Sequence, residues 1–116
     1  MNFYVCMIDL KDDAKALVFA HAAEVWMEHL KSRGVIVDWR LTRRKLNLAD
    51  TPYRDFHLEI AVKDMEQLDR AFRVSGQQDE TVNTLYRNVH TLIARADFGL
   101  YRPFPDPERV ERMGLL

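Results

Sequence analysis

The spacing of apolar side chains along this chain switches between two and about 3.6 residues, and the order of the switches predicts its elements. Alternation over residues 3–8, 35–41, 56–62 and 98–102 predicts four strands, and helical spacing separates the first from the second and the third from the fourth. The first strand is apolar on both faces, with Phe3, Val5 and Met7 on one side and Tyr4, Cys6 and Ile8 on the other, as in a central strand covered on both sides. Asp12 or Asp13 is placed to cap a helix that runs to Arg33, and Gly34 follows where a left-handed residue is wanted. Phe19, Trp26 and Leu30 centre an apolar arc on this helix about 220° wide, more than packing on one sheet requires, so a further element must cover part of it.

The second strand is expected from Val35, with Val37, Trp39 and Leu41 on one face and Asp38, Arg40 and Thr42 on the other. Past Arg43, Arg44 and Lys45 the apolar phase slips by one, which predicts a bulge or a strand end, and residues 47–54 carry turn chemistry. In the third strand Phe56, Leu58, Ile60 and Val62 face the helices, while His57, Glu59 and Ala61 face away. Met65, Leu68 and Phe72 mark a short helix that stops at Ser75 and Gly76, and a third helix is expected from Asp79 to Arg95 on the stripe that includes Val82, Tyr86, Val89, Ile93 and Ala96. The last strand is expected at residues 97–102, with Gly99 marking a bulge or a close backbone approach. Pro103, Pro105 and Pro107 close the domain, and Asp106-Pro107 reads as the cap and first position of a short terminal helix.

This order is β-α-β-β-α-β, that of a ferredoxin-like α+β sandwich: an antiparallel sheet with helices on one face and an extra helix before the last strand. It occupies residues 1–103, with residues 104–116 as a proline-rich tail. The chain's 116 residues suffice for one domain, burying roughly two-thirds of the surface the unfolded chain would expose. A net charge of -1 provides no general field for a polyanion. The single cysteine, Cys6, excludes an internal disulfide and a cysteine metal cluster, and points to a reducing compartment. The first ten residues are too short to span a membrane and lack the features of a signal peptide, so the cytoplasm is expected, with no membrane partner.

Candidate chemistry concentrates on the sheet face opposite the helices. There Asp38, Arg40, Thr42 and Arg44 are expected beside His57 and Glu59, next to Tyr4 or Cys6 on the central strand. His57 can serve as a base, Glu59 can orient it, and Arg40 can anchor an anion, with Tyr4 or Tyr101 assisting in ligand binding. A plain cross-strand pair between Glu59 and Arg40 or Arg44 accounts for the same residues without a site. On the first helix His21, Glu24 and Glu28 share a face, but their order is not that of a metal motif and a solvated face explains them, so no metal is expected. The basic run Arg40, Arg43, Arg44, Lys45 with Arg54 fits protection of an edge strand. Nucleic acid is not an expected partner, because the third strand offers His57 and Glu59 where an RNA-binding sheet would display aromatic rings. Phosphate-cradling glycine motifs and the nucleophile elbow are missing from the sequence, and no cofactor is expected.

The element order over about residues 2–103, the wide apolar arc of the first helix and the closing segment Asp97-Phe98-Gly99-Leu100-Tyr101-Arg102-Pro103-Phe104-Pro105 together resemble the dimeric α+β barrel superfamily. Within it, small NIPSNAP-like and uncharacterised bacterial domains are the nearest likeness. The resemblance implies a homodimer whose two sheets face each other around a space for a ligand. Members include cofactor-free monooxygenases, haem-degrading enzymes and muconolactone-isomerase-like proteins, but the asparagine, tryptophan and histidine of the haem-degrading members do not map onto this chain. Two readings follow: a small-molecule site between the sheets, with or without catalysis, or a non-catalytic dimerisation or protein-interaction module.

Overall fold

A computed structural model describes residues 1–107. The elements are β1 (Asn2–Leu10), α1 (Ala16–Ser32), β2 (Asp38–Arg43), β3 (Phe56–Val62), α2 (Met65–Ser75), α3 (Glu80–His90) and β4 (Ile93–Tyr101). The strands form one antiparallel sheet in the order β2-β3-β1-β4, the ferredoxin-like arrangement expected from the sequence, and the crossover from β3 to β4 holds two helices. The terminal helix expected beyond Pro107 lies outside the described residues.

Local chemistry starts and stops the helices. Asp12 accepts a hydrogen bond from the Ala14 N–H at the 3-10 turn that leads into α1, Asp64 accepts from Gln67 at the start of α2, and Asp79 accepts from Val82 at the start of α3. The end of α1 is a Schellman motif: the Val35 N–H reaches the Leu30 carbonyl and the Gly34 N–H that of Lys31, with Gly34 at φ +71°. This accounts for the start of β2 at Asp38 and not at Val35. Val35 is spent on the cap and is buried in the core together with Leu30 and Ile36.

The other departure is at α3, which ends at His90, with β4 beginning at Ile93, well before residue 97. Ile93 and Ala96 fit the helical stripe and also fit a strand. Pairing of Leu10 with Ile93 and Ile8 with Ala96 takes them into the sheet, across a register shift between Asp9 and Leu10.

One layer of core lies between the sheet and the helices. Cys6 and Ile8 of β1 and Phe56, Leu58, Ile60 and Val62 of β3 pack against Phe19, Trp26, Met27 and Leu30 of α1, Leu68 and Val74 of α2, and Val82 and Val89 of α3. Phe19 is fully buried and meets the Phe56 ring at 5.1 Å. The wide arc of α1 is shared between the sheet and α3, where Trp26 meets Tyr86 edge-on, while Leu17 and Val18 stay exposed.

The opposite sheet face carries an apolar stripe, Phe3, Val5 and Met7, between His57, Glu59 and Ala61 on β3 and Asp97, Gly99 and Tyr101 on β4. Gly99 marks a close approach: a Cβ there would lie 2.9 Å from the Tyr101 ring, which folds over the backbone beside Val5. Val5 is consequently buried although no helix covers it.

Candidate functional site

On the open sheet face the sequence-derived candidates do not converge. Arg40 and Glu59 are directly opposed and form an ion pair at 3.5 Å, the cross-strand arrangement that needs no ligand. His57 is opposed by Thr42, whose hydroxyl donates to the His57 carbonyl, so Glu59 is engaged by Arg40 and not by the imidazole. The β1 neighbours of His57 and Glu59 are Met7 and Val5. Tyr4 and Cys6, expected beside them, sit on the helix-covered face, because pairing Tyr4 with Ile60 fixes the alternation. Tyr101 is on the open face but on β4, with β1 between it and Glu59. Arg44 lies past the end of β2, where it joins Asp55.

Beside the loop of residues 44–55 is an open hollow of about 710 Å³, bordered by Thr42, Arg43, Arg44, Tyr53 and His57. Its cations are already paired. Arg43 and Arg44 hold Asp55, and Arg54 reaches Asp97 at 3.0 Å and Asp9 at 3.2 Å. Those bonds keep the Asp97 carboxyl below the ordinary carboxylate range and raise the Arg54 guanidinium, the hydrogen bond between the two being the largest cause in each case. The arrangement ties the loop to the sheet, and Arg54 adopts φ +59° to make it.

A second space, about 460 Å³, lies between the sheet and the three helices and opens to solvent at a rim where Phe72, Tyr86, His90 and Phe98 are exposed. Apolar side chains make most of its wall, and no Lys, Arg, Asp or Glu lines it. Aromatic rings stand at two of its sides. Tyr4 is edge-on to Phe72 at 5.4 Å and stacked with Phe98 at 5.8 Å; Tyr86 is edge-on to Trp26 at 6.2 Å and stacked on His90 at 3.6 Å. Helix periodicity makes the latter pair, since residues four apart on α3 are neighbours on one face.

Polar atoms in this chamber are few. Ser75 donates its hydroxyl to the Ala71 carbonyl, and the His90 Nδ1 lies 2.8 Å from the Tyr86 carbonyl. A carbonyl oxygen only accepts, so Nδ1 carries a hydrogen, and in the uncharged form of the ring Nε2 is the acceptor. Among the described residues Nε2 and the hydroxyls of Tyr4 and Tyr86 have no hydrogen-bond partner. Burial pushes the Cys6 thiol up to about 12, and raises the Tyr4 phenol with a smaller contribution from Cys6, so both groups keep their protons. The chamber can therefore hold an uncharged, largely aromatic molecule and read a small number of its polar atoms. Among the described residues no group of three or more His, Cys, Asp or Glu side chains is arranged to hold a metal ion.

Reading the sequence singled out neither Tyr86 nor His90. The available signal was a tyrosine and a histidine four residues apart at the border of an apolar stripe, which says nothing of a space until α3 is packed over the sheet.

The model of a family of unknown function, DUF6614, matches residues 1–116, and the chain belongs to that family. No curated protein sequence matches it. Among solved structures, the chain is similar to SnoaB from Streptomyces nogalater, described as a cofactor-independent oxygenase, at 11% identity and TM-score 0.66, covering 89% of this chain and 92% of that one. It is also similar to a dimeric ferredoxin-like protein of unknown function from Jannaschia sp. CCS1, at 7% identity and TM-score 0.65, covering 88% and 98%. A dabb family protein with a ferredoxin-like fold from Mesorhizobium loti matches at 14% identity and TM-score 0.62, covering 89% and 96%. These likenesses show the fold, which is ferredoxin-like.

Proposed function

We propose that this DUF6614 chain is a small-molecule-binding domain whose ligand occupies the chamber between sheet and helices, within a homodimer that pairs the open sheet faces. The chamber carries the reading: an aromatic space, free of Lys, Arg, Asp and Glu, bordered by three polar atoms without protein partners in the described residues. A space between two sheets, with His57, Glu59 and Arg40 as its chemistry, is the weaker form of the idea, because Arg40 and Glu59 satisfy each other and Tyr4 faces the other way. The dimeric descriptions of similar folds and the apolar stripe Phe3, Val5 and Met7 support the homodimer. In this arrangement the charges around the stripe set the register of the two sheets, which is also what a non-catalytic dimerisation module would use them for.

The setting we propose is the cytoplasm, supported by Cys6 as a free, buried thiol. Among the described residues no helix is long and apolar enough to cross a membrane. Native mass spectrometry of protein purified without added ligand, followed by gentle denaturation, tests both parts. A dimer that releases a discrete small molecule is expected. A persistent monomer at micromolar concentration overturns the paired sheets, and an empty protein that also fails to take up aromatic probes overturns the chamber.

A further inference from the structure

We infer that His90 is the specificity-determining residue of the chamber, and that it selects neutral aromatic ligands carrying a hydroxyl group that can donate a hydrogen bond, such as phenols. The inference rests on the chamber reading above and deepens it. Three observations lead to the ligand class. With no Lys or Arg on the wall, a carboxylate or phosphate entering the chamber would give up hydration and meet no permanent countercharge, so a neutral ligand is favoured. The rings of Tyr4, Trp26, Phe72, Tyr86 and Phe98 offer faces and edges at which another aromatic ring packs well. The Tyr86 carbonyl fixes a proton of His90 on Nδ1, so that in the uncharged ring, the form the test below selects by its pH, Nε2 can only accept.

The last observation distinguishes His90 from the other free polar atoms of the wall. The hydroxyls of Tyr4 and Tyr86 both donate and accept, so they tolerate a ligand ether as readily as a ligand hydroxyl. Nε2 of a ring held in this tautomer takes a hydroxyl and gains nothing from an ether. Stacking of His90 on Tyr86 at 3.6 Å, with planes 13° apart, holds the ring while leaving this edge available. The same side chain is thus held by two contacts with Tyr86, one to its ring and one to its backbone.

The test uses a pair of probes that differ only in the hydroxyl, 1-naphthol and 1-methoxynaphthalene, titrated calorimetrically into the full chain at mildly alkaline pH. Wild type should bind the naphthol about fivefold more tightly, the order expected for one hydrogen bond exchanged for a bond to water at the exposed rim. His90→Ala should remove that preference while leaving the affinity for the ether within about twofold, because the wall that packs the rings is otherwise kept. Tyr86→Phe keeps the backbone carbonyl that orients His90 and should retain the preference. Equal binding of both probes by wild type, or a preference that survives in His90→Ala, overturns the role of His90 and leaves the chamber standing. Loss of the preference in Tyr86→Phe assigns the reading to the tyrosine hydroxyl and overturns it as well. Binding of neither probe overturns the chamber reading and this inference with it.

Discussion

Arg54 and Asp97 lie 43 residues apart in the sequence and meet at 3.0 Å, and the same guanidinium reaches Asp9 at 3.2 Å, so one side chain pins the loop after β2 to two strands. Arg54 takes a left-handed backbone conformation to do so, a cost that a glycine would not bear. Arg54→Gly should therefore be less destabilising than Arg54→Ala, and both should melt below wild type. The acid dependence has a definite sign. Asp97 is held below its ordinary value of 3.8, so its contribution is present at neutral pH and is lost as pH falls through the depressed folded value. The gap between wild type and Arg54→Gln should be widest near neutrality and narrow below about pH 4, the ordinary carboxylate range, as thermal melts at a series of pH values would show.

Cys6 gives the opposite limb. Its thiol is moved from an ordinary 9.0 to about 12 by burial, so the native state favours the protonated form. The stability this represents is complete below pH 9.0 and is lost as pH rises toward 12, at a slope approaching about 1.4 kcal/mol per pH unit. Cys6→Val should flatten that slope relative to wild type in urea unfolding, and native Cys6 should resist thiol reagents until the protein unfolds.

His29 buries its Nε2 without a hydrogen-bond partner and lies parallel to Trp26, with ring centroids 6.0 Å apart. His29→Phe keeps a ring against Trp26 and removes the unsatisfied atom. It should leave stability unchanged or raise it by about 1 kcal/mol, whereas His29→Gln, which keeps a polar end in the same place, should lower it. Chemical denaturation of the two variants separates these outcomes.

Asp79 caps α3 by accepting from the Val82 N–H at 3.1 Å. Asp79→Ala should cost about 1 kcal/mol in urea unfolding. Because α3 carries Tyr86 and His90, the same change should also weaken binding of 1-naphthol, an effect that a cap on a helix remote from the chamber would not produce.

If the open faces pair, Met7 lies in the seam and Leu17, on the outer side of α1, does not. Met7→Lys should shift the protein to monomer in sedimentation velocity, while Leu17→Lys should sediment as wild type does. A Met7→Lys dimer would place the contact elsewhere.

The sequence made the fold legible where a single period governs a segment. Phe56–Val62 alternates without interruption and is β3 to the residue, and β1 shows its central place by being apolar on both faces. Legibility failed where one apolar side chain serves two purposes. Val35 reads as a strand residue but completes a helix cap, and Ile93 and Ala96 satisfy the stripe of α3 as well as the alternation of β4. Strand alternation puts Arg40, His57 and Glu59 on the open face, as the sequence suggests, yet the register that joins Arg40 to Glu59 also removes the need for a ligand. Tyr86 and His90 matter through a space enclosed by elements far apart in the chain, and no local period encodes such a space.

The helices that roof the chamber join at residues 76–79, away from every strand pairing. An insertion or deletion at that joint would tilt or shorten the roof and leave each ladder hydrogen bond in place. The height of the roof and the pairing of the sheet are thereby written in separable stretches of the chain, although the floor of the space belongs to the strands. The joint is therefore where a redesign of the size of that space would begin.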